Sequence, residues 1–427
     1  MHYIIIGNGV AGTEAALAIR RRHSPKEARI TLISDETDYF FSRTALMYAY
    51  MEKLDRREME PYERKVYDRQ KIARIRDRVV DLNADAQTIT LSSDQVLSYD
   101  RLLLAVGTRA RKLPHSGLDA IKEGVVNFVS MQDLDACERL TWSTEQAVVI
   151  GGGLIGIELA ECFHHHRIKT TFLVREPYFW PMALGPEEGR MVSEHIRAHG
   201  IDLRLEDELE SVEADETGRV KELITRSGKT IPCQMLGIAI GVQPSVGWLE
   251  DVTTPPTLGR GIRVDESFRT SLPGVFAAGD CAEIDRDRES KPLLETIWYS
   301  AKRQGELAGL SMIGDEVDYE PPIFFNSSKF FDVEFTTVGD VTDVPAGTRT
   351  LYRKMPGKNI SQRIVHDGDR VLGFNMLGSR WDHTLLQRWV AQRRPIDYVL
   401  EHLREAQFDV EFGRIKLEKM TEEEKVL

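Results

Sequence analysis

The chain has 427 residues, 41% of them hydrophobic, and a formal net charge of -12. That length exceeds what one hydrophobic core organises and calls for two or three domains, while the acidic balance argues against nucleic acid as a partner, because phosphate binding needs a basic surface. Cys137, Cys162, Cys233 and Cys281 lie too far apart for a disulfide framework or a Cys-x-x-Cys metal pair, and no apolar run approaches the roughly 18 residues of a membrane span; a reducing, cytoplasmic setting is expected.

The first element is a short apolar strand, Tyr3 to Ile6, followed by Gly7-Asn8-Gly9-Val10-Ala11-Gly12 and an alanine-rich helix from Thr13 to Arg22. Arg29 to Ser34 supplies a second strand and completes a βαβ unit, with Asp35 and Glu36 at its end. The arrangement returns at Ala147 to Ile150, Gly151-Gly152-Gly153-Leu154-Ile155-Gly156, a helix from Ile157 to His164 and a strand from Thr170 to Val174. Two later strands also match, Leu102 to Gly107 and Leu236 to Gly241, each followed by a proline, Pro114 and Pro244, that marks a crossing between domains. From Glu320 the pattern changes to short alternating segments, Asp332 to Val338 and Arg370 to Leu377, and then two amphipathic helices carrying Trp381, Leu385 and Trp389, and Val399, Leu400 and Leu403. The charged tail, Lys416 to Leu427, is expected to fray.

A Gly-x-Gly-x-x-Gly string is weak by itself, but here both copies sit between a strand and a helix. The first glycine serves a sharp turn, the second lets a pyrophosphate approach the backbone, and the third lets the helix pack on the strand. Asp35 or Glu36 would hold a ribose diol. Two copies imply two dinucleotides. The segment from Thr270 to Gly279-Asp280 resembles the second FAD motif of two-dinucleotide flavoprotein reductases, in which the aspartate accepts a hydrogen bond from the flavin ribityl chain.

With those motifs in place, the chain resembles the FAD-dependent pyridine nucleotide-disulfide oxidoreductase superfamily, and the stretch from Asp35 to Leu46 together with Tyr99-Asp100 is similar to its rubredoxin and ferredoxin reductase branch. The resemblance implies an α/β fold with two Rossmann-like dinucleotide-binding domains and a small α+β C-terminal domain: 1–113 with 243–318 for FAD, 114–242 for NAD(P), and 319–427 as an interface-like domain. It implies FAD contacts from Gly7, Gly9, Val10, Ala11, Gly12, Asp35, Glu36, Arg43, Val79, Ala105, Gly107, Gly279, Asp280, Glu295, Thr296 and Trp298. Gly151, Gly153, Leu154, Ile155, Gly156, Glu158, Arg175 and Gly241 would serve the nicotinamide dinucleotide. Glu158 and Trp298 are the expected catalytic positions, beside a hydride transfer from nicotinamide to flavin.

Val174 stands where an NAD-specific site places an acid, and Arg175 follows, so NADPH is expected over NADH, with Arg175 pairing a 2'-phosphate. The chain departs from the family's thiol branches: no cysteine precedes Cys137, which excludes thiol chemistry as the second half-reaction. Electrons then pass to an external acceptor, expected to be a ferredoxin- or rubredoxin-like carrier, from a monomer or homodimer. The alternatives are an NAD(P)H oxidase or quinone reductase, or a redox-responsive flavoprotein with an assembly role. His164-His165-His166 is read as a solvated helix end, because consecutive helical residues diverge, and no metal is expected. The mixed-charge stretch Glu52 to Arg78 is read as a solvated helical face whose slight basic excess could guide an acidic carrier.

Overall fold

A computed structural model describes residues 1–114, 117–286, 291–342, 344–408 and 421–423. The chain forms two compact units: Met1–Lys112, Asn127–Arg139 and Gly241–Glu320 make the first, and Leu113–Val126, Leu140–Ile240 and Pro321–Leu427 the second. Residues 127–139 thus belong in sequence to the stretch 114–242 and in space to the first unit.

The first unit is built on a parallel five-stranded sheet in the order Val275–Ala277, Arg101–Leu104, His2–Ile6, Arg29–Ile33, Ile72–Ile75. Its central strands are apolar on both faces, as a sheet covered on both sides requires; Tyr3, Ile4, Ile5, Leu102, Leu103 and Leu104 are fully buried. Two helices, Val10–Arg22 and Trp298–Met312, pack on each other and against strands of this sheet, with small residues between them. A β-carbon on Gly309 would stand 2.6 Å from the carbonyl oxygen of Ala15, and one on Gly305 would overlap that of Ala11. Only glycine permits so close an approach of two backbones.

The second unit carries a matching parallel sheet, Asp202–Leu205, Lys169–Val174, Gln146–Ile150, Met235–Ile238 and Val125–Val126. Its C-terminal part is an antiparallel sheet in the order Phe325–Phe330, Val333–Gly339, Val371–Leu377, Ser361–His366, Arg349–Lys354 and Thr421–Glu423. Helix His383–Ala391 closes that core with Leu386 and Trp389. Trp381 is buried in the same cluster but precedes the helix, because the Asp382 carboxylate caps it by accepting from the Thr384 and Leu385 N–H groups. Thr421–Glu423 pair with Arg349–Lys354 rather than fraying; the rest of the tail from Lys416 lies outside the described residues.

Candidate functional site: two dinucleotide turns

Both glycine-rich strings form the same turn. Gly7 and Gly151 leave their strands with φ of +108° and +118°, and a β-carbon on either would overlap a strand-end carbonyl, that of Ala105 or of Ala239. A β-carbon on Gly12 or Gly156 would overlap the oxygen of Gly7 or Gly151, so each helix rests directly on its turn. In contrast, nothing lies within 4 Å of a β-carbon position on Gly9 or Gly153. That opening faces a helix end with no side-chain cap and no acid in its first turn, where free N–H groups and the helix dipole favour an anion. The helices begin at Val10 and Leu154 rather than Thr13 and Ile157: Gly9 and Gly153 are N-caps, and Val10, Ala11, Leu154 and Ile155 form the first helical turns.

Around the first turn the expected residues converge from four stretches of chain. Glu36 receives both guanidinium nitrogens of Arg43 at 2.9 and 2.8 Å and the N–H of Met131 at 2.9 Å, and Arg43 also donates to the Val129 carbonyl. Asp35 is more exposed and pairs loosely with Arg78 at 3.7 Å. Gly279 turns with φ +81°, and a β-carbon there would stand 2.8 Å from that of Ala11, so the Gly-Asp corner abuts the dinucleotide turn. Thr108 donates to Asp280 at 3.4 Å. Burial pushes the Asp280 carboxyl up to about 6, against the opposing pull of Arg43 and the Thr108 hydrogen bond.

Because this pKa is raised above its ordinary value of 3.8, the folded chain holds the proton more tightly than the unfolded one. The contribution of this one group to the stability of the flavin-free protein is therefore fully present below pH about 4 and is lost as pH rises toward about 6. Across that range the melting temperature of the flavin-free Asp280→Asn variant should rise relative to that of the unaltered protein; a difference that stays constant with pH would sink the assignment.

Gly107 (φ +61°) has open space at its β-carbon position, and Val79 is buried at the start of an antiparallel strand. Glu295 accepts from Ser300, Gln304 and Tyr319 at 2.8, 3.0 and 2.6 Å, and Gln304 in turn accepts from the Gly279 N–H at 2.9 Å. Its carboxylate thus positions the Gly-Asp corner, a role not legible from its place before a helix. Thr296 and Trp298 follow, and the Trp298 indole Nε1 is a buried donor with no hydrogen-bond partner. An orphaned donor, open glycine faces and an uncapped helix end together fit a phosphate-bearing aromatic cofactor such as FAD.

In the second unit, Glu158 lies one turn into the helix Leu154–His165, its carboxyl pushed up to about 7 by burial and then by Glu161. Arg175 is largely exposed, 73% for its side chain, and its Nε donates to Glu176 at 2.8 Å. Glu176 is the acid that reaches the turn: its Oε2 lies 3.5 Å from a β-carbon position on Gly152, beside Val174. Sequence pointed to it only as a neighbour of Arg175. Gly241 turns with φ +100° in the first unit, where its carbonyl accepts from the Arg111 N–H.

The stretch Glu52 to Arg78 is not one helical face. It holds a short 3-10 turn, the helix Arg64–Arg69 and the strand Ile72–Ile75. Its basic groups are mostly paired: Arg56 with Asp135 and Glu138, Arg64 with Glu60, and Arg64 and Arg74 over the Tyr39 ring at 4.4 and 4.5 Å. Arg74 is therefore packed rather than free to steer a partner. Cys281 is fully buried, its thiol pushed up to about 11 by burial and directed at the carbonyls of Leu104 and Ala278.

Two uncapped helix ends on two parallel sheets, one joined to a Gly-Asp corner, define an oxidoreductase that uses a flavin and a nicotinamide dinucleotide. The chain belongs to the pyridine nucleotide-disulphide oxidoreductase family, whose model matches residues 1–305, and it is an FAD-dependent NAD(P)H oxidoreductase. It is 31% identical over 341 residues, 79% of this chain and 81% of the relative, to the 5,5'-dehydrodivanillate O-demethylase ferredoxin reductase subunit of Sphingobium sp.. Over 398 residues, 92% of this chain and 94% of the relative, it is 26% identical to the ferredoxin--NAD(+) reductase component of the p-cumate 2,3-dioxygenase system of Pseudomonas putida. The fold is that of a ferredoxin reductase from Rhodopseudomonas palustris, with a TM-score of 0.82 at 23% identity over 94% of this chain and 99% of that one. Among the described residues no helix is long and apolar enough to cross a membrane.

Proposed function

We propose that the chain is an NADH-dependent reductase of a small iron-sulfur carrier protein, acting in the cytoplasm. FAD, when bound, supplies the chemistry: it takes two electrons as a hydride and releases them to an acceptor. In this reading the Gly7–Gly12 turn, Glu36, Arg43, Gly107, Asp280 and Trp298 bind and orient FAD, with 1–113 and 243–318 as its domain. The Gly151–Gly156 turn and Glu176 hold NADH within 113–126 and 140–240 of the second unit, whose stretch from Pro321 onward is its C-terminal part. Glu158, whose carboxyl burial raises to about 7, is the residue of this helix that could hold or release a proton near a bound nicotinamide.

The observation that carries the acceptor is the state of the cysteines. No cysteine precedes Cys137, and Cys281, the one next to Asp280, is a buried neutral thiol. Electrons therefore leave for an external acceptor, and two relatives act, by their names, with a ferredoxin. The coenzyme rests on Glu176, which can bond the ribose 2'-hydroxyl and repel a 2'-phosphate; the exposed Arg175, which on sequence favoured NADPH, is engaged by that same acid.

Anaerobic stopped-flow bleaching of the flavin should be at least about tenfold faster with NADH than with an equal low concentration of NADPH, as a charge-assisted hydrogen bond of ~1.5 kcal/mol implies. Glu176→Ala should erase most of that ratio. Reoxidation should be fast with a ferredoxin and slow with air. Faster bleaching by NADPH would overturn the coenzyme reading, and air outpacing the ferredoxin would overturn the carrier.

A further inference from the structure

Away from both dinucleotide turns, within the second unit, three side chains with metal-binding atoms meet. His195 lies in the last turn of the helix Pro186–Ala198 and His199 is its C-cap residue, one turn apart and so on one face. Asp332 comes from far along the chain, in the turn between the strands Phe325–Phe330 and Val333–Gly339. One ligand atom from each lies within 4.8 Å of the others; Asp332 Oδ1 is 2.7 Å from His195 Nε2 and 3.6 Å from His199 Nε2. Around a tetrahedral ion with bonds near 2.0–2.1 Å, neighbouring ligand atoms are about 3.3 Å apart, which these separations bracket.

The outer contacts favour a cation in the middle. His199 Nδ1 lies 3.0 Å from the His195 carbonyl oxygen, an acceptor only, so Nδ1 carries the proton and the lone pair of a neutral His199 is on Nε2. That nitrogen faces the Asp332 carboxylate oxygen at 3.6 Å, a position where either a proton or a metal ion would sit between the two. A ligand histidine held by its other ring N–H to a backbone carbonyl is the arrangement that presets an imidazole for a metal. His195 Nε2 is buried and faces Asp332 Oδ1 at 2.7 Å, so the two atoms are placed to share a cation. The amide nitrogen of Asn359 lies 2.8 Å from its other ring nitrogen, Nδ1; with the amide turned over, its oxygen would accept from Nδ1–H and leave Nε2 free for a metal.

The turn that presents Asp332 is itself fixed in an uncommon backbone state. Phe331 has φ +57°, rare for a bulky residue, and is held by its N–H donating to Glu161 at 3.1 Å and by its ring stacking on His199 at 4.2 Å. We propose that His195, His199 and Asp332 form a binding site for one divalent transition-metal ion of the zinc class, with the fourth position open to water. Two imidazoles and one carboxylate suit zinc over calcium or magnesium, which take oxygen ligands. The ion would tie the end of the helix Pro186–Ala198 to the hairpin turn, a structural clamp apart from the redox chemistry.

The test uses the tag-free holoprotein, freed of metal by a chelator and titrated with Zn²⁺ by calorimetry at pH 7.5. One ion per chain should bind, and the melting temperature should rise with it. His199→Ala and Asp332→Asn should each weaken binding by at least about tenfold, since even outer-shell changes cost that much. His165→Gln with His166→Gln should leave it unchanged. Flavin content, read from absorbance, reports that each variant is folded. No saturable binding to the unaltered protein, or binding lost in the His165/His166 pair and kept in the other variants, would overturn the proposal.

Discussion

Gly9→Val should give a folded protein that holds almost no FAD. The β-carbon position there meets no protein atom within 4 Å, so the flavin-free fold tolerates the side chain, which instead fills the space that a pyrophosphate must enter. Gly12→Val should do more harm. Its β-carbon would overlap the Gly7 oxygen and stand 3.0 Å from the Gly7 carbon and 3.1 Å from Ile5 Cγ2, backbone and core that cannot yield without moving the helix, at a cost of at least ~1–3 kcal/mol. Flavin absorbance per chain should fall by about tenfold or more in both, as loss of the phosphate contacts of a helix end implies, whereas the melting temperature of the flavin-free protein should fall only in Gly12→Val. The same pair in the second unit, Gly153→Val and Gly156→Val, should retain yellow colour in the first case and lose bleaching by NADH. Normal flavin content in Gly9→Val would remove the first turn from the FAD site.

The second large effect is an absence of activity. Disulfide substrates, including glutathione disulfide and coenzyme A disulfide, should be reduced at no more than the rate of a flavin-free control, even with excess NADH. Attack on a disulfide needs a thiolate, and the Cys281 thiol, raised to about 11, is essentially all protonated at neutral pH and enclosed by protein. Cys281→Ala should leave electron transfer to a ferredoxin within about twofold, because a small buried residue is replaced by one of similar size. Robust disulfide reduction that vanishes in Cys281→Ala would show that this thiol opens to substrate, and the acceptor would have to be reassigned.

The parts of the site visible in sequence are those encoded locally. Gly7, Gly9 and Gly12 repeat as Gly151, Gly153 and Gly156 because one turn solves one steric problem twice. The helices start inside each glycine string, at Val10 and Leu154, for a related reason: glycines read as loop, yet Gly12 and Gly156 have helical backbone and are there for packing. What sequence did not disclose depends on residues brought together across long separations. Glu36 stood beside Asp35 as an equal candidate until the fold placed Arg43 and Met131 against it. Glu295 pointed to the cofactor by position alone, while its carboxylate is spent on Ser300, Gln304 and Tyr319. The spacing of His195 and His199 was present all along, but without Asp332 it was only two histidines on a helix.

The path of residues 127–139 limits how this protein can be re-engineered. A coenzyme swap that replaced 114–242 with the corresponding block of another reductase would look clean on sequence. It would also remove the Met131 N–H from Glu36, both acids from Arg56, and the Phe128 ring from beside Tyr50. The recipient would lose part of the first unit's framework together with the block that was meant to be exchanged. A graft that keeps 127–139 native and exchanges only 113–126 and 140–240 respects the units as they fold. The two designs therefore differ in flavin retention before coenzyme preference is ever measured.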